Sequence, residues 1–351
     1  MSYIKKPLVL HPGLGKNKLG LTLRDYEGSM STLCAGCGHD SITAAIVRAF
    51  WELDTPPHMV AKLSGIGCSS KTPTYFVSGA HGFNSAHGRM PAIASGANAG
   101  NRKLTYIGVS GDGDSLSIGL GQMVHAIRRN VDMLYIIENN GVYGLTKGQF
   151  SASADLGSKS KKGEANQQAP IDPVMLGLSI GATFVARSFS GDKEQLVPIL
   201  KAGLAHRGFA LVDVISPCVT FNDHEGSTKS YRHTRDNQLA VTEADFVPPQ
   251  AELTAKYAEG TATTVTMFDG SQVHFVKVPA DYDPTDRKAV MAYMMDRQKN
   301  GEVATGLLYL DSSTDDVHEM NKTVATPLAE MPFEELCPGS AALEKLQAGF
   351  R

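Results

Sequence analysis

The sequence predicts an α/β fold, a mostly parallel sheet flanked by helices. Three observations carry that expectation. Leu104–Val109 is short, apolar and β-rich, as a strand buried on both faces is. Leu116, Leu120, Met123, Val124 and Ile127 then recur at helical spacing and make one apolar stripe. Met133–Ile137 is a second buried strand. Between them Ser110-Gly111-Asp112-Gly113-Asp114 ends the first strand, and Glu138-Asn139-Asn140 closes the second. Both turns therefore fall at the C-terminal ends of successive parallel strands, where an open α/β sheet binds its ligands.

The other elements follow in order. Residues 1–30, rich in Gly, Pro, Lys and Leu, read as an extended arm. Cys34 and Cys37 lie in a glycine loop before a helix whose core stripe is Ile42, Ile46, Ala49, Phe50 and Leu53. Met59–Ser64 is a strand, and its C-terminal turn carries Cys68 and Lys71. His81–Arg89 reads as a polar loop, and Pro91–Ala99 as a helix of small residues. The stretch 141–170 is long, polar and rich in Gly and Ser, so it reads as leaving the site and continuing as a mobile arm or partner contact. Asp172-Pro173 starts a helix with N-cap and N1 residues. Ala182–Arg187 reads as a strand, and Asp192 to Gln195 as a capping box opening a helix that stops near Gly208. Leu211–Ile215 is the last strong parallel strand and leads into Cys218.

After Asn237 the pattern turns polar and helix-prone, with a hairpin-like stretch turning at Asp269-Gly270. This divides the chain into an arm (1–30), an α/β domain (31–237) and a C-terminal extension (238–351). A formal net charge of −3 gives no reason to expect a nucleic acid partner. No run is apolar and long enough to span a bilayer. The N-terminal apolar run, Pro7–Leu10, is too short for a signal-peptide core, so a cytoplasmic protein is expected.

The two central turns suit a diphosphate bridged by a divalent metal. Gly111 and Gly113 let backbone N–H groups approach phosphate oxygens at a helix N-terminus. Asp112 is a hard oxygen donor and Asn140 a neutral amide donor, the kind Mg²⁺ takes. Gly-Asp-Gly alone is also an ordinary βα turn. With Asn-Asn placed so that Gly111 to Asn140 spans 30 residues, it resembles the thiamine diphosphate (ThDP) motif. That resemblance implies Mg²⁺ bound by Asp112, Asn140 and the carbonyl of Val142. Asp114 is expected either to support the cofactor turn by hydrogen bonding or to bind nothing. His87 and Arg89 are expected either at the diphosphate or substrate, or on a surface loop.

Cys34, Cys37, Cys68 and Cys218 each lie on a loop next to a core element. Spacing alone leaves zinc, an iron–sulfur cluster and unrelated buried cysteines all open. Cys337 lies in no motif and reads as an ordinary thiol. CAGCGH, SGIGCSSK, GDGD with Asn-Asn, and SPCVTFN together resemble the ThDP-binding β subunit of 2-oxoacid:ferredoxin oxidoreductases over residues 30–240. DYDPTDRKAV and GEVATGLLYL are similar to its 2-oxoglutarate branch.

The resemblance implies a ThDP-binding fold with Mg²⁺ and one 4Fe–4S cluster on Cys34, Cys37, Cys68 and Cys218. It implies decarboxylation of a 2-oxoacid, acyl transfer to coenzyme A to give succinyl-CoA, and electrons passing singly to ferredoxin. ThDP enzymes also need an activating glutamate from a second α/β domain. One such domain is visible here, so an α subunit is expected to supply it in an (αβ)₂ assembly. Lys71 is expected to hold the distal carboxylate of 2-oxoglutarate, with Leu145 against its methylenes. The alternatives are a sibling acting on pyruvate or branched 2-oxoacids, a ThDP decarboxylase-like chain with structural zinc, and a non-catalytic electron-transfer or scaffold subunit.

Overall fold

The structure, a computed structural model, describes residues 11–160, 163–240, 242–247, 262–266, 272–277 and 282–350. The apolar runs pair into strands β1 (Val60–Ser64), β2 (His81–Asn84), β3 (Thr105–Gly111) and β4 (Met133–Asn139). A short hairpin, β5 (Val142–Tyr143) and β6 (Gln149–Phe150), follows. Next come β7 (Phe184–Phe189), β8 (Phe209–Ile215), β9 (Gln238–Ala240), β10 (Thr242–Val247), β11 (Ala262–Thr266), β12 (Gln272–Lys277) and β13 (Val303–Leu310). The central sheet runs β2-β1-β3-β4-β8-β7-β13-β9. From β2 to β7 every pairing is parallel, and β13 is antiparallel to β7.

Helices cover both faces because strand residues alternate between them. Ile107, Val109, Leu134, Ile136, Val212 and Val214 meet α1 (Gly38–Glu52) and Leu196–Ala202 of a later helix on one face. On the other, Tyr106, Met133, Tyr135, Ile137 and Leu211 meet Met90, Met123, Ile127, Leu178 and Met294. The remaining α-helices among the described residues are α2 (Thr72–Tyr75), α3 (Met90–Gly100), α4 (Leu120–Arg128), α5 (Pro173–Ile180), α6 (Lys193–Ala205), α7 (Tyr231–Asn237), α8 (Arg287–Lys299), α9 (Val317–Asn321), α10 (Phe333–Leu336) and α11 (Ser340–Ala348). Asp172 caps α5 through the N–H groups of Val174 and Met175, and Asp192 caps α6 through Gln195 N.

Several expectations change. β3 runs on through Ser110 and Gly111, which pair with Ile137 and Glu138. Parallel neighbours offer that backbone hydrogen bonds, and these outweigh the local turn preference. A wide turn of π type, Asp114–Ile118, then precedes α4, so the helix starts later than the stripe suggested. His81–Asn84 is an edge strand rather than a loop; all four residues are exposed, so no buried pattern betrays it. The expected N-terminal arm packs on its own chain: Tyr26 is fully buried and donates its hydroxyl to the Thr55 carbonyl. Within 141–170 part of the segment packs on the domain too, with Ser151, Ser153, Ala154 and Asn166 buried. The segment expected as an extension supplies β13 to the central sheet. β11 and β12 pair antiparallel, and Asp269-Gly270 lies outside the described residues. No helix among the described residues is long and apolar enough to cross a membrane.

Candidate active site

β3 and β4 deliver their two turns side by side. Asp112 is 1% exposed and sits between them. Its carboxylate accepts from Gly141 N at 3.1 Å and from the hydroxyls of Ser151 and Ser153. Asn140 N lies 3.5 Å away. Burial pushes the Asp112 carboxyl up and the two serines oppose that shift. A buried carboxylate so placed is one a cation would stabilise. Asn140 turns its amide oxygen to Val142 N at 3.0 Å, and Asn222 fixes the Asn140 carbonyl at 2.8 Å. Asp112, Asn140 and Val142 therefore share one small volume, and the oxygens they offer match what Mg²⁺ takes. Gly113 has no room for a side chain: a Cβ would enter the Tyr143 ring, whose hydroxyl donates to the Gly113 carbonyl at 3.0 Å.

Asp114 does something else. Its oxygens accept from Ser110 Oγ (2.8 Å), Ile66 N (3.2 Å) and Gly88 N (2.7 Å). Both oxygens are committed to protein, so Asp114 staples the loops after β1 and β2 to the turn. Gly88 is thereby held to the turn, and its neighbours His87 and Arg89 are both exposed.

The cysteine loops converge on the same edge. Cys37 lies within electrostatic reach of Cys68 and Cys218, and Cys68 of Cys34 and Cys218. A side chain on Gly144 would touch both Cys68 Sγ (3.4 Å) and Cys218 Sγ (3.6 Å), so the bare backbone of the β5–β6 hairpin forms one wall. Burial pushes the Cys37 thiol up to about 12, which disfavours the free thiolate. Among the described residues no three His, Cys, Asp or Glu side chains are gathered tightly enough to share one metal ion. All five cysteines are free, and Cys337 is exposed. Lys71 follows Cys68, is half-buried, and acts on that thiol's charge. Leu145 stands 53% exposed beside Gly144.

Sequence reasoning missed the link between the two halves. Glu138, fully buried, accepts from Thr72 Oγ1 at 3.0 Å and lies 3.5 Å from His39 Nε2. His39 Nδ1 meets Ser216 Oγ at 2.7 Å. Burial raises the Glu138 carboxyl well above its ordinary range and lowers His39 to about 4. The network ties the Cys37, Cys68 and Cys218 loops to the Asn139-Asn140 turn. A lone histidine at the start of a helix gives no sequence signal for such a partner.

The fold and site define a ThDP-type α/β domain with a cysteine cluster at its ligand edge. Residues 65–214 match the thiamine pyrophosphate enzyme family, C-terminal TPP binding domain. The chain is 44% identical over 207 residues to a 2-oxoacid:ferredoxin oxidoreductase subunit beta of Saccharolobus solfataricus, covering 59% of this chain and 67% of that one. It is 31% identical over 232 residues to a 2-oxoglutarate synthase subunit KorB of Methanocaldococcus jannaschii, covering 65% and 85%. With the 2-oxoglutarate oxidoreductase subunit KorB of Mycobacterium tuberculosis, 41% identity extends over only 51% of that longer chain. A solved 2-oxoglutarate:ferredoxin oxidoreductase from Magnetococcus marinus, with 2-oxoglutarate, coenzyme A and succinyl-CoA bound, superposes with a TM-score of 0.70 at 30% identity, covering 89% and 92%. The chain belongs to the family of 2-oxoacid:ferredoxin oxidoreductase beta subunits.

Proposed function

We propose that the chain is the beta subunit of a 2-oxoglutarate:ferredoxin oxidoreductase. The observation that carries this reading is the meeting, at one sheet edge, of the Asp112–Asn140 turn and four cysteines. Asp112, Asn140 and the Val142 carbonyl would hold Mg²⁺, and the backbone at Gly111 and Gly113 would receive the diphosphate. ThDP supplies, when bound, an electron sink for loss of CO₂, and a 4Fe–4S cluster supplies a one-electron acceptor. Zinc would need all its thiolates about 2.3 Å from one ion. A four-iron cluster takes one thiolate per iron, which suits the looser cysteine set better.

The chain's own residues do the positioning. Ser151 and Ser153 orient the Asp112 carboxylate. Asp114 holds the loop from which His87 and Arg89 reach the diphosphate or substrate. Lys71 pairs with the distal carboxylate of 2-oxoglutarate, and Leu145 packs on its methylenes. A partner α subunit brings the activating glutamate in an (αβ)₂ assembly. The overall reaction converts 2-oxoglutarate and coenzyme A to succinyl-CoA, CO₂ and a proton, with two ferredoxins each reduced by one electron. The thiols must stay reduced to hold iron, which suits the cytoplasm.

The test is the two-subunit complex assayed for coenzyme-A-dependent viologen reduction, with iron counted per chain. Expected are turnover on 2-oxoglutarate above pyruvate, four irons in the parent and in Cys337→Ala, and loss of iron in Cys218→Ala. Full iron in Cys218→Ala would sink the cluster assignment, and pyruvate preference the substrate.

A further inference from the structure

The buried ion pair between β7 and β8 reaches beyond the sheet. Arg187 Nε donates to Asp213 Oδ2 at 2.7 Å, and Asn139 Nδ2 donates to Asp213 Oδ1 at 2.9 Å. The Ser153 hydroxyl stands between Asn139 Oδ1 at 2.8 Å and Asp112 Oδ2 at 2.5 Å, two acceptors for its one proton. Asp213, Asn139 and Ser153 thus join Arg187 to Asp112 without a break, and all three are buried. Asn139 and Ser153 also line a cavity of about 540 Å³, many times the room one water needs. Packing alone therefore does not decide which way the Asn139 amide faces. Asp213 decides it, because a carboxylate only accepts: the amide turns its NH₂ to Asp213 and its oxygen to Ser153. Turned over, the amide oxygen would face the Asp213 carboxylate with no proton between them, and the NH₂ would donate to Ser153.

We propose that Asp213 is a positioning residue for the cofactor turn, orienting the Asn139 amide so that Ser153 shares its proton and Asp112 keeps its charge for the cation. The inference rests on reading Asp112 as the Mg²⁺ ligand. With the amide as it stands, the Ser153 proton is divided between Asn139 and Asp112. With the amide reversed, an N–H donor behind Ser153 would strengthen its O–H donation to Asp112, since successive hydrogen bonds polarise one another. That donation withdraws negative charge from the carboxylate a cation needs. Arg187 serves the same end by occupying the other Asp213 oxygen and holding the carboxylate in place.

The experiment uses the two-subunit complex stripped of ThDP and Mg²⁺ with its iron retained. Calorimetry reads the Kd of Mg²⁺ at saturating ThDP. Asp213→Asn can donate as well as accept, so it frees the Asn139 amide to turn. Mg²⁺ affinity should weaken about 5-fold or more, the scale of one hydrogen bond. Asn139→Ala removes the second acceptor but spares the Arg187–Asp213 pair, and it should weaken affinity alike even where Asp213→Asn fails to fold. In a Ser153→Ala background the same two changes should have no further effect on Kd. Parent-like affinity in either folded variant, or a loss undiminished by Ser153→Ala, overturns the proposal and leaves Asp213 a purely structural residue. Asp112→Ala binding Mg²⁺ and ThDP like the parent overturns instead the reading on which it rests.

Discussion

Asp112 accepts hydrogen bonds from Gly141 N and the Ser151 and Ser153 hydroxyls, all from the segment between β4 and α5. Replacing it by Ala would remove the charge proposed to face a diphosphate-bound cation. Breaking one side of a buried charge pair costs about 3–5 kcal/mol, a factor of over ~100 in affinity. Asp112→Ala should therefore lose ThDP and Mg²⁺ from the purified complex while keeping its iron, because the cysteines sit on other loops. Parent-like ThDP content would refute the turn's role. Lys71 allows a sharper test, since it has no ion-pair partner among the described residues. Lys71→Ala should raise the KM for 2-oxoglutarate by at least ~10-fold, the scale of one charge-assisted hydrogen bond. Pyruvate has no distal carboxylate and should respond much less. Equal effects on both substrates would reduce Lys71 to an ordinary loop residue.

At the scale of elements, β7 and β8 are joined across their pairing by a buried charge triad. Arg187 on β7 donates to Asp213 on β8 at 2.7 Å and to Asp172, the α5 cap, at 2.6 Å. Opposite charges hold Asp172 below the usual carboxylate range, while burial still pushes Asp213 up. Arg187→Met would strand two carboxylates without their cation. We expect a loss of about 3–5 kcal/mol in urea unfolding; a loss below about 1 kcal/mol would mean that water or the neighbouring Gln298 replaces the guanidinium. How far each element was legible follows from its burial. β4 and β8 are buried along their whole length and announce themselves as apolar runs. β2 hides because only its backbone is used. The Asp and Asn turns were legible because glycines and acids cluster there. Ser151 and Ser153 were not: they reach Asp112 from 39 and 41 residues away, in a stretch whose composition reads as loose loop.

The whole molecule is less divisible than its composition suggests. β13 extends the sheet by lying against β7, with β9 beyond it, although more than a hundred residues separate β7 and β13 in the chain. Its apolar run, VATGLLYL, lies inside a polar region, and nothing local tells it to pair backwards with a strand so distant. Ending the chain after Asn237 would leave β7 as a long open edge with apolar faces. Such edges invite pairing between chains. The truncated protein, co-expressed with its partner subunit, should be found mostly in the insoluble fraction. A soluble, monodisperse product would mean that the sheet can close without β13.

That late strand also puts the molecule on a clock. Some 88 residues separate the end of β8 at Ile215 from the start of β13 at Val303. At ribosomal speeds of about 5–20 residues per second, that is roughly 5–20 s of synthesis. All four sulfur-bearing loops and both cofactor turns have left the ribosome by then, yet the sheet is still missing its flank. A nascent chain in this interval can gather its cysteines before it can hide its last edge. Iron loading and chaperone attendance would then compete for the same seconds.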